Sequence, residues 1–183
     1  MADRRCEKDY EIVTLKEIAR ADLQAINRWR QDSDLLDGVG APFRFISEEV
    51  DHAWFEDYLR RRGTDVLCAI VLADRPDPVG FVSLTGIDQV HRRAEFHLLI
   101  GERDVHGRGI GTIATSKMLR HAFRDLNLNR VFLSVINYNK AAIRVYEKVG
   151  FRKEGIAREA AFKRGCYADM VAMGILRNEF FGI

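Results

Sequence analysis

The residues best equipped for chemistry fall in two clusters. The first is His106-Gly107-Arg108-Gly109-Ile110-Gly111-Thr112. Glycines let a backbone approach a ligand closely and take up turns that other residues resist. Where such a run opens a helix, the unpaired N–H groups and the positive end of the dipole suit a phosphate. Arg103 and Arg108 add cationic character. A nucleoside-triphosphate loop would need GxxxxGK followed by Ser or Thr, and no such lysine is present. A dinucleotide fingerprint sets its third glycine three residues after the second, whereas Gly111 follows Gly109 by two. The run fits a pyrophosphate better than either of those ligands, and it fits a plain turn as well. The second cluster is Asn139-Lys140-Ala141-Ala142-Ile143-Arg144-Val145-Tyr146-Glu147-Lys148-Val149-Gly150-Phe151. Asn139 is a helix cap by type, Gly150 a left-handed stop, and Tyr146 is either a packed aromatic or a proton donor.

These clusters need elements to hold them. Tyr10–Leu15 is patterned as a strand, and Leu23, Ile26 and Trp29 recur along a helix from about Ala19 to Arg30. Residues 31–46 form a loop, Ser47 caps a second helix, and Gly63 ends it. Val66–Ala73, Val79–Ile87 and Ala94–Ile100 are strands parted by turn signals at 74–78 and 88–93. A long helix spans about Gly109–Leu126, with Ile110, Ile113, Ala114, Met118, Ala122 and Phe123 on one face. Val131–Ile136 is the next strand, a shorter helix runs from Asn139 to Gly150, and strands at Phe151–Arg158 and Tyr167–Leu176 flank a turn at Gly165. The order β-α-α-β-β-β-α-β-α-β-β predicts a mixed α/β layer structure. With no repeat or linker, residues 1–183 are expected to form one domain, with a core of about 10–180.

Composition narrows the class. An apolar fraction of 47% and a charged fraction of 31% are ordinary for a soluble protein. A formal net charge of +2 is too small to point to nucleic acid or an anionic membrane as partner. Cys6, Cys68 and Cys166 are scattered and unpaired with histidine, which suits reduced thiols in the cytoplasm and suggests no metal. The polar start, Met1-Ala2-Asp3-Arg4-Arg5, lacks the apolar core of a signal peptide, and no run is long enough to span a membrane.

The second cluster resembles the Asn…Ala…Tyr-Glu-Lys-x-Gly-Phe signature of GNAT N-acetyltransferases, and the glycine run resembles their pyrophosphate motif. His106 departs from the Gln or Arg usual there. Ile87-Asp88…His91-Arg92-Arg93-Ala94-Glu95-Phe96 is similar to a segment of spermidine acetyltransferases. Trp29-Arg30 and His52-Ala53-Trp54-Phe55 are more like the amino-sugar enzymes, and Glu154-Gly155…Gly165…Asp169 is common to the branch that also holds ribosomal-protein alanine acetyltransferases. The resemblance implies the GNAT fold, a central mixed, splayed sheet flanked by helices, with acetyl-CoA as co-substrate and no metal. It implies that the pantetheine arm lies between the Ala94–Ile100 and Val131–Ile136 strands against Leu98, Leu99 and Ile100. A backbone N–H near Leu99 would meet the thioester oxygen. His106, Gly107, Arg108, Gly109, Ile110, Gly111 and Thr112 would hold the pyrophosphate, and Asn137, Asn139, Ala142 and Tyr146 would line the arm. Tyr146 would protonate the leaving thiolate, since a phenol with a pKa near 10 stays protonated at neutral pH. Glu95 is the candidate base. His97, two residues on and therefore on the same strand face, is an alternative, as is water.

The implied acceptor is a primary amine: a polyamine, an amino sugar or a protein N-terminus. From Gln31 to Asp57 there are eight acids against one arginine, a formal charge of −7, which predicts an attractive field for a cationic amine or else a solvated helix face. A non-enzymatic reading, an acyl-CoA-binding regulatory domain, would keep the fold without turnover, and Tyr146 weighs against it. Homodimers or larger homo-oligomers are common in the branch the chain resembles.

Overall fold

The computed structural model describes residues 12–182. Cys6 and the first two residues of the expected opening strand, Tyr10 and Glu11, lie outside them. Seven strands form one sheet: β1 (Val13–Glu17), β2 (Val66–Leu72), β3 (Arg75–Asp88), β4 (Arg93–Ile100), β5 (Arg130–Ile136), β6 (Arg152–Lys163) and β7 (Cys166–Leu176). Their spatial order is β1-β2-β3-β4-β5-β7-β6. All neighbours are antiparallel except β4 and β5, which run parallel. The expected mixed sheet flanked by helices is what the chain builds.

The helices are α1 (Leu23–Arg30), α2 (Glu48–Arg60), α3 (Ile110–Arg124), α4 (Lys140–Val149) and α5 (Arg177–Phe181). The larger core lies between the sheet and α3 and α4, where Ile110, Ala114, Met118, Phe123, Ile143 and Tyr146 pack on Val82, Leu84, Phe96, Val131 and Leu133. A second core joins α1 and α2 to the other sheet face through Ile26, Trp29, Phe55, Tyr58, Leu67 and Leu99. A buried polar knot ties α1 to α2: Asn27 Nδ2 donates to Asp51 Oδ2 at 2.6 Å, and Arg30 pairs with the other Asp51 oxygen while lying 4.6 Å above the Trp54 ring.

Two hairpin limits differ from the sequence reading. The β2–β3 reversal uses only Ala73 and Asp74, because Leu72 pairs with Arg75; Pro76 and Pro78 therefore lie within β3 rather than in a turn. Strand β6 runs five residues beyond Arg158, past an irregularity between Ala157 and Ala161, to a two-residue hairpin turn where Arg164 (φ +48°) and Gly165 (φ +82°) are both left-handed. The apolar tail forms α5, and Phe180 and Phe181 pack on Phe123 inside the molecule.

Candidate active site

The sheet opens where β4 meets β5. Only Arg93, Ala94 and Glu95 pair with Arg130, Val131 and Phe132, and beyond them the two strands part. Gly101 N–H donates to Val79 O at 2.8 Å, which sets the hydrogen-bonding parity of the antiparallel ladder with β3. That register is continuous from Gly80–Ile100 to Thr85–Glu95. Alternation then turns the amides of Leu99 and His97 toward β3, and those of Leu98 and Ile100 toward the gap. The donor expected near Leu99 is thus narrowed to the N–H of Leu98 or Ile100.

The gap belongs to a groove of about 1220 Å³. At one end Gly107 (φ +76°) and Gly109 (φ +80°) turn the chain into α3, and Gly109 caps it in the left-handed conformation, which a Cβ would strain. The first helical amides, Ile110 to Thr112, have no acceptor within the helix and face the groove end. His106 Nε2 donates to Ile100 O at 3.0 Å, pinning the loop to the end of β4.

Tyr146 lies on the inner face of α4, 6% exposed, edge-on to Phe96 and beside Phe151. Burial pushes its phenol up to about 12. Its hydroxyl has no hydrogen-bond partner among the described residues, yet Tyr146 lines the groove. A buried hydroxyl of this kind normally finds a partner, so the site fits a ligand that can accept a hydrogen bond from it. Glu95 and His97 share one strand face and also line the groove. Thr85 Oγ1 and His97 Nε2 are 2.9 Å apart, and the Glu95 carboxylate is 4.0 Å from the same nitrogen.

Of the residues expected at the cofactor site, Leu98, Leu99, Ile100, His106, Gly107, Gly109, Ile110, Gly111, Thr112, Asn139, Ala142 and Tyr146 all line this groove. Two are not brought to it. Arg108 is exposed, outside the lining. Asn137 faces a smaller cavity shared with Tyr138, Lys163 and Asp169, and its N–H is bound to Asp169 O at 3.0 Å. Asn139, which lines the groove, is also held on both sides of its amide. Its Oδ1 accepts from Ala142 N at 3.1 Å as the α4 cap, and its Nδ2 donates to Gly38 O at 2.9 Å. Among the described residues no group of three or more His, Cys, Asp and Glu could hold a metal ion, and no helix is long and apolar enough to cross a membrane.

The loop between α1 and α2 forms a strap that closes the other end of the groove. Asp34, Leu35 and residues 37–41 line it. The strap is held from four places: Arg103 on Asp32, Tyr138 Oη on Asp37 O at 3.0 Å, Asn139 on Gly38 O, and the β6–β7 turn. From that turn Arg164 reaches Asp34 at 2.7 Å and Asp37 at 3.0 Å, and the Lys163 ammonium donates to Leu36 O at 2.9 Å and to Ala41 O. The acid-rich segment is consequently not a free field. Asp32 pairs with Arg103, Asp34 and Asp37 with Arg164, Asp51 with Arg30, Glu56 with Arg20, and Asp57 with Arg61. Among the described residues, Glu48 and Glu49 are the two of the eight without such an arginine. An unforeseen support is Gly101, where a Cβ would run into the Trp29 ring. That contact lets Trp29, whose Nε1 donates to Glu102 at 2.9 Å, brace the end of β4.

Comparison with known proteins agrees with this geometry. The acetyltransferase (GNAT) domain family matches residues 13–152. A putative ribosomal N-acetyltransferase of Bacillus subtilis is 37% identical over 103 residues, 56% of each chain, so that match spans about half of it. Spermidine N(1)-acetyltransferase of Vibrio cholerae is 28% identical over 92% of this chain and 95% of its own. The crystal structure of the Vibrio cholerae spermidine N-acetyltransferase with CoA and spermine superposes with a TM-score of 0.86 at 25% identity, covering 92% of this chain and 98% of that one. The matched span carries the parted strands, the glycine loop, Glu95 and Tyr146, and the chain belongs to the GNAT acetyltransferase family.

Proposed function

We propose that the protein moves an acetyl group from acetyl-CoA to a primary amine by direct attack within a ternary complex. The observation that carries this reading is the parting of β4 from β5 beyond Glu95. It leaves gap-facing amides at Leu98 and Ile100 between a phosphate-suited helix start and the buried Tyr146 hydroxyl. The pyrophosphate is held by the amides of Ile110, Gly111 and Thr112 at the start of α3. The pantetheine arm pairs with the gap face of β4, which is the edge a missing strand partner would otherwise occupy.

Glu95, directly or through water, takes a proton from the acceptor ammonium. The freed nitrogen lone pair attacks the thioester carbonyl carbon, and the carbonyl π electrons move onto oxygen. The amide of Leu98 or Ile100 stabilises that oxyanion, a kind of contact whose loss typically costs about 2.7–4 kcal/mol. Collapse re-forms the C=O bond and breaks C–S, and the Tyr146 hydroxyl gives its proton to the departing thiolate. The nitrogen sheds its second proton to solvent, giving the amide, and the phenolate is reprotonated from solvent.

The acceptor is a primary amine. Spermidine enzymes are among the relatives whose similarity runs the length of this chain, which favours a polyamine. The pairing of the strap acids favours an amine with one positive charge, as on an amino sugar or a peptide N-terminus. A thiol-release assay with acetyl-CoA tests both, using spermidine, spermine, an amino sugar nucleotide, and peptides beginning with Ala or Ser. Saturable turnover of any of these is the expected result. Failure of acetyl-CoA to bind would overturn the reading.

A further inference from the structure

The β6–β7 turn contains an oddity. A two-residue hairpin turn with both residues left-handed is ordinarily filled by Asn-Gly or Asp-Gly. Here the first position is Arg164, at φ +48°. Left-handed backbone is uncommon for a long side chain, and such outliers cluster where the surrounding structure uses them. The use is visible. From this turn the guanidinium spans two carboxylates of the strap, Asp34 and Asp37, while neighbouring Lys163 grips the strap's carbonyls.

The consequence is a charge balance. Asp34, Asp37 and Glu95 are the carboxylates lining the groove. Arg164 takes the first two, and Lys163 is buried against the same strap, where burial pulls its ammonium down from the usual range although Asp37 holds it up. Of the three, Glu95 alone has no lysine or arginine against it among the described residues. Arg103, Arg144 and Lys148 also line the groove, so with the strap carboxylates paired Glu95 is the one lining carboxylate left for an incoming ammonium.

We infer that Arg164 is a specificity-determining residue that cancels the strap's carboxylates, so that the groove takes an acceptor with a single ammonium group in preference to a polycation. This rests on the acetyltransferase reading and deepens it. Spermidine carries several ammonium groups and finds a counter-charge for only one. An amine borne on a neutral or anionic body, such as an amino sugar or a peptide end, matches the balance.

Arg164→Asn tests this cleanly, because Asn suits the left-handed position and removes the charge without disturbing the hairpin. Arg164→Gln serves as a second variant, and thermal melts verify that both are folded. Spermidine and hexylamine are titrated calorimetrically into wild type and variants at 50 and 300 mM NaCl, with and without CoA. The expected result is that wild type binds spermidine no more tightly than hexylamine. Freeing the carboxylates of Asp34 and Asp37 should tighten spermidine about fivefold or more at low salt, an effect lost at high salt and absent for hexylamine. Wild type binding spermidine tenfold tighter than hexylamine, or folded variants binding spermidine no better than wild type, would overturn the inference. CoA affinity, read in the same titrations, reports separately on the acetyltransferase reading.

Discussion

Replacing Tyr146 with Phe separates its two possible roles, because the substitution deletes one oxygen and nothing else. The ring contacts with Phe96 and Phe151, at centroid distances of 6.0 and 5.7 Å, survive unchanged. The hydroxyl has no partner among the described residues, so its loss breaks no bond in the fold and relieves a buried polar group. The melting temperature of Tyr146→Phe should therefore equal or exceed that of wild type. Catalysis should behave in the opposite sense. Protonation by a positioned acid contributes typically about 10²–10⁴-fold, or roughly 2.7–5.4 kcal/mol of barrier at 1.36 kcal/mol per decade. The kcat of the variant should fall by that factor, with its KM for acetyl-CoA within about threefold of wild type.

The pH dependence follows from the same burial. The phenol's value in the fold is about 12, against an ordinary 10.0, so the protonated form is favoured by folding. That contribution to stability is complete below pH 10 and is lost as pH rises through 12. Between pH 6 and 9.5 the acid stays loaded, and kcat should show no alkaline limb from Tyr146. A folded Tyr146→Phe variant retaining kcat within about threefold would refute the assignment and leave Tyr146 a packed aromatic.

Three further substitutions probe separate parts of the argument. Glu95→Gln should lower kcat/KM for the amine by about 10²-fold near pH 7, with partial recovery as pH rises and solution supplies free amine; a pH-independent deficit would remove Glu95 as base. Gly109→Ala forces a Cβ into the left-handed conformation at a cost of about 1–2 kcal/mol, so CoA affinity by calorimetry should fall about tenfold, while unchanged affinity would show that the loop geometry is not needed. Asp51→Ala strands Arg30 and Asn27 in the α1–α2 core and should cost about 3–5 kcal/mol in urea unfolding; a loss below about 1 kcal/mol would mean the buried knot is dispensable.

What was legible in the sequence was what is local. Apolar periodicity, Asn139 and Gly150 placed α4 within a residue of its ends, because the cap and the left-handed stop are set by neighbours in the chain. The glycine run was legible for the same reason. Hairpin limits were not, since they depend on register: Leu72 opposite Arg75 pulls two prolines into β3, and Lys163 opposite Cys166 carries β6 past Arg158. Asn139's second bond, to Gly38 at a separation of 101 residues, left no mark in its local motif. Gly101 held no clue either, because what forbids a side chain there is Trp29, far earlier in the chain.

Charge was the least legible of all, and the reason is general. A run of acids in sequence is a field only if its counter-charges lie elsewhere than against it. Here they arrive from four directions: Arg103 after β4, Arg164 on the hairpin, Arg20 and Arg30 from the first helical region, and Arg61 at the end of α2. The pairing of Arg164 with Asp34 spans 130 residues. Exposed pairs such as this contribute about 0–1 kcal/mol each to stability, so the fold has little need of them. Their larger effect is on what approaches the groove, because a carboxylate already satisfied by a guanidinium attracts an incoming ammonium weakly. An arginine held at φ +48°, where Asn would sit more comfortably, therefore makes more sense as a determinant of the acceptor than as a support for the hairpin.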